Sequence, residues 1–383
     1  MKIKYKIPFA LALLSTALLG CSTGAIKVEE AKPNPLPKLV QEQSSLVPVF
    51  SQSVTATSDQ DALRLQLATQ DDLVFVPDPK GKVLAYKNKQ LVWENTVSKQ
   101  GLTAGVEAGE KIVVVGNSKG QLFALDQATG AQKWMAQLSG SILAPSLILS
   151  NQVITTSNDG TVYAHNAETG QQLWTYNLPT TAFSLRNAPA PVAADSRTVL
   201  VASANAYVYA IDILTGIPRM QRRVALSEGR SDVQRLNDIA GDPNVAGRLL
   251  LTTSYQGQVT ALDLATQQVI WSNDFSSIKR PEIMGNGVFV AGADGQLIAY
   301  EITSGQTLWK NDQLLNRHLS NPVMLNDHLI VGDFDGYLHI IDPSSGQIIG
   351  RAKTNGEIRS LRVLDNKLYV MTQKGAASIW QGR

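Results

Sequence analysis

Few residues of this 383-residue chain have a type and spacing that could do chemistry, and an acidic loop is the clearest candidate. Gly332–Gly336 reads GDFDG and matches the start of a calcium loop, in which oxygen ligands alternate along the chain. Such a loop also needs a Glu as its last ligand residue, and this sequence has none there. The same place in other repeats reads Ser157–Gly160 (SNDG) and Ala293–Gly295 (ADG). We therefore predict a turn between two strands rather than a metal site.

Catalytic side chains are equally sparse. The four histidines show no metal-ligand or triad spacing and are His165, His318, His328 and His339. His328 and His339 lie in strand-like stretches, where we expect a solvent-facing or hydrogen-bonded ring. No serine is predicted to be a nucleophile, and no phosphate-binding loop stands out. The sequence thus predicts a protein without enzymatic activity, cofactor or metal.

Cys21 is the single cysteine, which excludes a disulfide within the chain. Three lysines in the first six residues and the apolar run Ile7–Leu19 precede it, as in a secretory signal peptide. Leu18–Cys21 (LLGC) resembles the lipobox of bacterial lipoproteins. The resemblance implies that residues 1–20 are removed and that Cys21 is acylated, with Ser22 in place of Asp favouring an outer-membrane anchor that faces the periplasm. An ordinary signal peptide with a chance cysteine is the alternative.

The rest of the chain is built from a repeated hairpin, which is complete in Gly120–Trp134 (GQLFALDQATGAQKW). An alternating strand leads to a tight turn at Asp126–Gly130, and a second strand carries Trp134. Similar stretches recur about every 40 residues. They begin at Gly81, Gly120, Gly160, Ala206, Gly257, Gly295, Gly336 and Gly375. Four short strands per unit at this period predict an all-β fold, an eight-bladed β-propeller with four-stranded antiparallel blades.

The two ends of the chain are predicted to share one blade. The last repeat, Lys367–Trp380, lacks its outer strand, and Val47–Val54 (VPVFSQSV) resembles that strand without its preceding hairpin. An N-terminal strand that completes the eighth blade would close the ring and leave no open edge. Residues 21–47 are predicted to be the acylated Cys and a flexible tether, because prolines and polar residues dominate there; residues 48–383 are predicted to form the propeller.

The spacing Ala-x-Asp-x-x-Thr-Gly-x-x-x-Trp, complete in Ala124–Trp134, resembles the tryptophan-docking repeat of pyrroloquinoline-quinone (PQQ) enzymes. In those propellers the tryptophan packs between neighbouring blades. The resemblance assigns this role to Trp93, Trp134, Trp174, Trp271 and Trp309. A quinone dehydrogenase also carries adjacent cysteines and a calcium site of carboxylates. With its only cysteine at the lipidation position, this chain resembles those enzymes in architecture rather than in activity.

The net charge and the insertions between repeats limit which partners the sequence favours. The 34 basic and 32 acidic residues give a net charge of +2, and such a mixed surface favours neither nucleic acid nor an acidic substrate. The longest departure from the repeat lies between Trp174 and Gly257 and holds two insertions, at 179–191 and 222–243. Loops on a rigid propeller commonly carry binding residues.

Lipobox, tether, eight repeats and two motifs in these insertions together resemble the BamB family, propeller lipoproteins of the outer-membrane β-barrel assembly machinery. The first motif, Phe183–Arg186 (FSLR), is similar to the family's Leu-Ser-Leu-Arg. The second, Gln234–Ile239 (QRLNDI), is similar to the family's Asp/Glu-Arg-Leu-x-Asp-Val/Ile-Asp. The resemblance implies a non-enzymatic scaffold that supports folding and insertion of β-barrel proteins.

In that family these loops dock the periplasmic POTRA domains of BamA, the barrel-forming subunit. The resemblance therefore implies that Phe183, Leu185, Arg186 and Asp238 contact BamA. The sequence departs from the family at Phe183, where the family has Leu, and at Ala240, where it has Asp. Unfolded outer-membrane proteins are a further candidate partner. A PQQ-type oxidoreductase and a glycan-binding propeller are the alternative functions.

Overall fold

Each predicted hairpin lies within a small antiparallel sheet, and eight such sheets follow one another around a central axis. A computed structural model describes residues 31–39, 42–58, 64–179, 189–203, 205–225, 239 and 241–383. The regular structure of these described residues is entirely β, with no helix among them. The predicted all-β, eight-bladed propeller is confirmed.

The strands are numbered in chain order. The first two are β1 (Leu46–Ser53) and β2 (Arg64–Leu65). Blades 1 and 2 contain β3 (Ala68–Gln70), β4 (Leu73–Asp78), β5 (Lys82–Lys87), β6 (Gln90–Thr96), β7 (Ala104–Gly109), β8 (Ile112–Gly116), β9 (Gln121–Asp126) and β10 (Gln132–Gln137). Blades 3 and 4 contain β11 (Leu147–Leu149), β12 (Gln152–Thr156), β13 (Thr161–Asn166), β14 (Gln172–Asn177), β15 (Val192–Ala193), β16 (Thr198–Ala202), β17 (Tyr207–Asp212) and β18 (Pro218–Arg223). Blades 5 and 6 contain β19 (Asn244–Ala246), β20 (Leu249–Thr253), β21 (Gln258–Asp263), β22 (Gln268–Asp274), β23 (Glu282–Met284), β24 (Gly287–Ala291), β25 (Leu297–Glu301) and β26 (Thr307–Asn311). Blades 7 and 8 contain β27 (Val323–Leu325), β28 (His328–Gly332), β29 (Tyr337–Ile341), β30 (Ile348–Lys353), β31 (Ile358–Leu364), β32 (Lys367–Thr372) and β33 (Ala376–Gly382).

Within each blade the strands follow in sequence from the axis outward, except that β1 forms the outer strand of blade 8. The first strands of neighbouring blades, such as β3 and β7, contact each other and surround the axis. Blade 2 departs from the four-stranded prediction, because β2 adds to β7 as a parallel fifth strand with Arg64 opposite Ala104. Turns between the second and third strands lie at the same end of the ring as the connections between blades, and this end is termed the upper face.

The ring is closed by β1, as predicted. It pairs antiparallel with β33, so that Phe50 stands opposite Ile379. The strand spans Leu46–Ser53, one residue earlier at each end than the predicted Val47–Val54, and both Leu46 and Phe50 are buried. The Phe50 ring meets Tyr86 of blade 1 edge-on, with centroids 5.3 Å apart. The N-terminal strand therefore supplies both the missing strand of blade 8 and an aromatic contact to blade 1.

The tryptophan of one blade packs on the turn of the next, a contact termed the Trp–turn contact. Trp134 donates its Nε1–H to Ala167 O of blade 3 at 2.9 Å. Its ring lies so close to Gly170 that a Cβ there would be 2.6 Å away, and Gly170 has a φ of +72°. Equivalent indole bonds run from Trp93 to Gln127 O (3.0 Å), Trp174 to Ile213 O (2.7 Å), Trp271 to Ile302 O (2.8 Å) and Trp309 to Pro343 O (2.8 Å).

Where a blade lacks the tryptophan, the turn of the next blade, on which the ring would pack, differs as well. Blade 4 has Met220 at this position, and the turn of blade 5 has Gln267 in place of glycine, at a φ of +58°. Blade 7 has Gly350, and blade 8 offers no turn to receive a ring, because its outer strand is β1. A Cβ on Gly350 would lie 2.0 Å from Ser44 O. The small residue therefore makes room for the chain that leads into β1.

Residues just before β1 contact the propeller. The flexible tether predicted for residues 21–47 stays a prediction, because residues 21–30 lie outside the described residues. Arg317 Nη1 donates to Asn34 O at 3.0 Å, and Arg351 Nη2 donates to Pro37 O at 3.1 Å. Prolines favour an extended backbone whose carbonyls stay free. Arg317, in the connection before blade 7, and Arg351, on β30, bind such carbonyls here. Composition does not show such partners, so these two contacts could not be predicted from it.

Removing β1 should destabilise the ring. A chain that starts at residue 54 loses the buried Leu46 and Phe50 side chains and exposes the edge of β33. Burial of two such side chains contributes roughly 3–6 kcal/mol. We expect a melting temperature about 4–8 °C below that of a chain starting at residue 33, measured by calorimetry. A chain starting at residue 46 is the control and should lose much less; equal melting of the chains starting at 46 and 54 would contradict ring closure by β1.

The Trp–turn contact predicts a large cost for a methyl group at the receiving glycine. A Cβ on Gly130 (φ +72°) would lie 2.4 Å from the Trp93 ring. Gly130→Ala should lower the free energy of unfolding by about 3 kcal/mol, from overpacking and left-handed strain together. Gly247 also has a positive φ, of +58°, but no atom lies within 4 Å of its added Cβ. Gly247→Ala should therefore cost only about 1 kcal/mol, and equal losses in denaturant titrations would refute the steric part.

Candidate functional site

The upper face carries two long inter-blade connections that flank blade 4. One joins β14 to β15 and the other joins β18 to β19. The predicted contact residues Phe183, Leu185, Arg186 and Asp238 belong to these connections but lie outside the described residues, as does Cys21. The geometry of the site therefore has to be built from the described ends of the two connections.

A hydrogen bond joins the two connections near the points where they re-enter the blades. Ala190 N–H donates to Asp242 Oδ1 at 2.7 Å, across 52 positions of sequence. Pro189, which precedes the donor, is buried. Gly241, which precedes the acceptor, packs so tightly that a Cβ would lie 2.5 Å from Lys279 O. The two connections are thus neighbours on the upper face, and each is fixed where it meets the ring.

The second carboxylate oxygen of Asp242 forms an ion pair with Arg64. Arg64 lies on β2 beside blade 2, whereas Asp242 lies just before blade 5. The pair therefore reaches across the upper mouth of the central channel. The side chains of Arg64 and Asp242 are only 27% and 15% exposed, so water screens this pair less than it screens a surface ion pair.

Further charges gather around this pair. Burial lowers the pKa of Lys279 to about 8; Glu357 opposes the shift, while Arg359 and Arg64 add to it. Arg359 and Glu357 themselves form an ion pair at 3.2 Å. Residues from several blades thus place cations and carboxylates together at the channel mouth, with Asp242 among them.

The acidic loop that resembles a calcium site is bound by a guanidinium group instead. Arg317 Nη2 lies 2.7 Å from Asp333 and 2.6 Å from Asp335, and His339 Nε2 lies 3.0 Å from Asp333. Burial would raise the pKa of Asp333, but hydrogen bonds from His339 and Arg317 outweigh it and hold that pKa below its usual range. The loop is the predicted turn between β28 and β29, and its carboxylates serve an ion pair.

One motif escaped the sequence-based interpretation. Gly116–Gly120 reads GNSKG and has the Gly-x-Ser-x-Gly spacing of a nucleophile elbow. An elbow needs a strand-to-helix turn, whereas this turn joins β8 to β9. Asn117 Oδ1 accepts the backbone N–H of Lys119 at 2.9 Å and of Gln121 at 3.0 Å. The motif is therefore a hydrogen-bonded β-turn and not a catalytic one.

Comparison with known proteins identifies the family. A family model described as outer membrane protein assembly factor BamB matches residues 79–311 and 245–381, which together make up most of the chain. The chain belongs to the BamB family. BamB of Yersinia pestis is 31% identical over 379 residues, covering 95% of this chain and 96% of that protein. BamB of Escherichia coli K12 is 29% identical over 377 residues, with 95% and 96% covered.

Solved structures agree with the BamB assignment. The crystal structure of BamB from Moraxella catarrhalis matches with a TM-score of 0.82 and 34% identity, over 88% of this chain and 100% of that one. Quinohemoprotein alcohol dehydrogenase from Comamonas testosteroni matches with a TM-score of 0.68 over 88% of this chain and 76% of that one. At 14% identity, that likeness shows the fold alone.

The residues of this BamB-family chain do not fit a quinone cofactor. The chain cannot supply two adjacent cysteines near a cofactor, because Cys21 is its only cysteine. The carboxylates of the acidic loop are engaged by Arg317. Over the described ranges, no group of three or more His, Cys, Asp or Glu residues is arranged to bind a metal. The same ranges contain no helix long and apolar enough to cross a membrane.

One histidine is buried where a sister repeat has leucine. His165 lies between Trp134 and Tyr163, with ring centroids 6.1 and 6.0 Å away. Burial lowers the pKa of His165 to about 4. The equivalent position of blade 2 is Leu125. The imidazole is therefore a neutral core residue rather than a catalytic group.

His165 should make the fold sensitive to acid. Its folded pKa of about 4 lies below the unfolded value, so the unfolded state binds the proton first as the pH falls. The stability that depends on a neutral His165 is fully present above pH ~6.5. The free energy of unfolding falls by about 3 kcal/mol as the pH drops to ~4. His165→Leu should remove that part of the acid loss while keeping stability at pH 7. Denaturant titrations at both pH values test this, and an acid loss equal to that of the wild type would contradict it.

Proposed function

We propose that this protein is a non-enzymatic scaffold of the outer-membrane β-barrel assembly machinery, and that it binds the POTRA domains of BamA through the two long connections beside blade 4. Family membership supports the role, and the Ala190–Asp242 hydrogen bond is the observation that carries the site. It joins the two connections that hold the FSLR and QRLNDI motifs, four residues from Arg186 and four from Asp238. Side chains from both motifs can then meet a single surface of the partner.

The proposed contact set has the chemistry of an interface anchor. Leu185 supplies an apolar group, and Arg186 and Asp238 supply opposite charges beside it. An apolar anchor next to an Arg is a common hot-spot composition. The propeller beneath is held by Trp–turn contacts, so the partner would meet a surface that needs little reorganisation.

The proposal includes a lipid anchor at Cys21 that holds the protein on the periplasmic side of the outer membrane. The LLGC motif and Ser22 support it, and several acyl chains give stable anchoring where one would be marginal. Membership of the assembly complex agrees with the names of the relatives. A PQQ-type oxidoreductase is not supported by the residues present, and no specific observation favours a glycan-binding propeller.

Variants in the two motifs test the BamA proposal. Leu185→Ala should weaken binding of BamA POTRA domains by roughly 30-fold, about 2 kcal/mol, at an unchanged melting temperature. Arg186→Glu should weaken it further, because repulsion is added to the lost contact. Lys133→Glu reverses an exposed charge on the outer strand of blade 2 and serves as the control. Wild-type affinity in variants of Leu185, Arg186 and Asp238 would refute the proposal that these residues bind BamA.

A further inference from the structure

We infer that Asp242 is a positioning residue that sets the relative placement of the two partner-binding connections by tying both to Arg64 at the channel mouth. The inference rests on the proposed function. It adds a residue that the family motifs do not contain, and it assigns a task to the ion pair across the channel.

The two oxygens of Asp242 serve different parts of the chain. Oδ1 accepts the Ala190 N–H at 2.7 Å and so holds the connection before blade 4. Oδ2 pairs with Arg64, which lies 178 positions earlier in sequence. Asp242 itself belongs to the connection after blade 4. One carboxylate thus links three segments that the chain does not join directly.

The anchor of this link is rigid. Arg64 N–H donates to Thr103 O at 2.8 Å, and Gln66 N–H donates to Gly105 O at 2.7 Å, so β2 is held on blade 2 on both sides of Leu65. Leu65 is buried. Since β2 cannot shift freely, a connection attached to Arg64 has a fixed position relative to the ring.

The backbone around Asp242 is fixed as well. Gly241 packs against Lys279 O and Thr253 Oγ1, each 2.5 Å from the site of an added Cβ. Thr253 Oγ1 in turn donates to Lys279 O at 2.7 Å. The backbone of this segment is therefore fixed in position. The orientation of the Asp242 carboxylate then determines where the Ala190 N–H is held.

Distance makes this placement relevant to binding. Ala190 follows Arg186 by four residues, and Asp242 follows Asp238 by four. Four residues span at most about 14 Å. A shift at the hydrogen bond would move the two described points, Ala190 and Asp242, from which the chain leads to the proposed contact residues. Contacts that are held in the wrong relative position lose much of their binding energy.

The carboxylate cannot be replaced by an amide without loss. If an Asn at 242 accepts the Ala190 N–H through its oxygen, its NH₂ group faces the guanidinium of Arg64. If the amide is flipped, an uncharged oxygen faces Arg64 and the hydrogen bond from Ala190 is lost. The cations Lys279 and Arg359 also face this mouth, with Glu357 as a further carboxylate. Removal of one negative charge leaves net repulsion at the base of both connections.

The experiment measures binding of the POTRA domains of BamA by the full-length acylated protein in detergent. Asp242→Asn should weaken binding about tenfold, which is ~1.4 kcal/mol, with a melting temperature close to wild type. Arg64→Gln should weaken it by a similar factor, and the double variant should be no weaker than either single one, because all three break the same link. Asp294→Asn is the matched control: Asp294 also accepts a backbone N–H in a turn of the upper face, from Gln296 at 3.0 Å, away from the two connections.

The outcomes separate this inference from the proposed function. Wild-type binding by Asp242→Asn and Arg64→Gln, with binding lost in Arg186→Glu, overturns the positioning role and leaves the partner site standing. Wild-type binding by Asp242→Asn, Arg64→Gln and Arg186→Glu overturns both the positioning role and the proposed partner site. Additive losses in the double variant also overturn the link. If Asp242→Asn is poorly folded, amide hydrogen exchange in Arg64→Gln decides: faster exchange at Ala190 with unchanged exchange in blade 7 supports the link, and unchanged exchange at Ala190 refutes it.

Discussion

The contact on which this ring depends is an indole stacked over the turn of the next blade. It combines burial of a large aromatic with a hydrogen bond from the indole N–H to a turn carbonyl, so one residue fixes both the distance and the rotation between neighbouring blades. The glycine that receives the ring must accept a positive φ and have no side chain, as Gly170 shows. At the seam between blades 8 and 1, Phe50 takes the tryptophan's place. A phenyl ring has no N–H to donate, so the seam relies on the pairing of β1 with β33 as well.

The same constraint explains where the repeat can change. Met220 in blade 4 has no indole to place, and the turn of blade 5 accordingly carries Gln267. This junction, between blades 4 and 5, is the one that the second long connection spans. At the same junction Thr260 Oγ1 donates to Val224 O at 2.7 Å. Polar links between segments thus accompany the weakened aromatic contact. The departure from the repeat coincides with the part of the ring to which we assign binding, as expected when function is added to a fold that is otherwise locked by repetition.

The sequence was sufficient for the architecture because each blade repeats its own local rules. Turn residues, alternation and the offset of the tryptophan predicted eight blades and a shared last blade, and both are confirmed. The same reasoning gave no sign of the parallel strand β2 or of the contacts from Arg317 to the chain near Asn34, 283 positions away. Isolated charged residues carry no period, so their partners cannot be found from a pattern. Two features of the sequence were close enough to give a signal. Asp242 follows the last residue of the QRLNDI motif, Ile239, by three residues, and Pro189 and Pro191 flank Ala190, its hydrogen-bond donor.

The buried charges of this propeller differ from those of a catalytic site, although quinohemoprotein alcohol dehydrogenase has a similar fold. In a catalytic site, burial and charge leave a group poised to change its protonation state. Here Arg317 satisfies Asp333 and Asp335, and the His339 imidazole lies against Asp333 with its pKa lowered mainly by burial. A compensated cluster of this kind is costly to disturb and has no free acid or base to offer. The guanidinium groups of Arg317 and Arg351 also bind the N-terminal segment. On the upper face, the ion pair of Arg64 with Asp242 holds the described ends of the two long connections. In both places charged groups fix the position of chain segments that the aromatic contacts between blades do not reach.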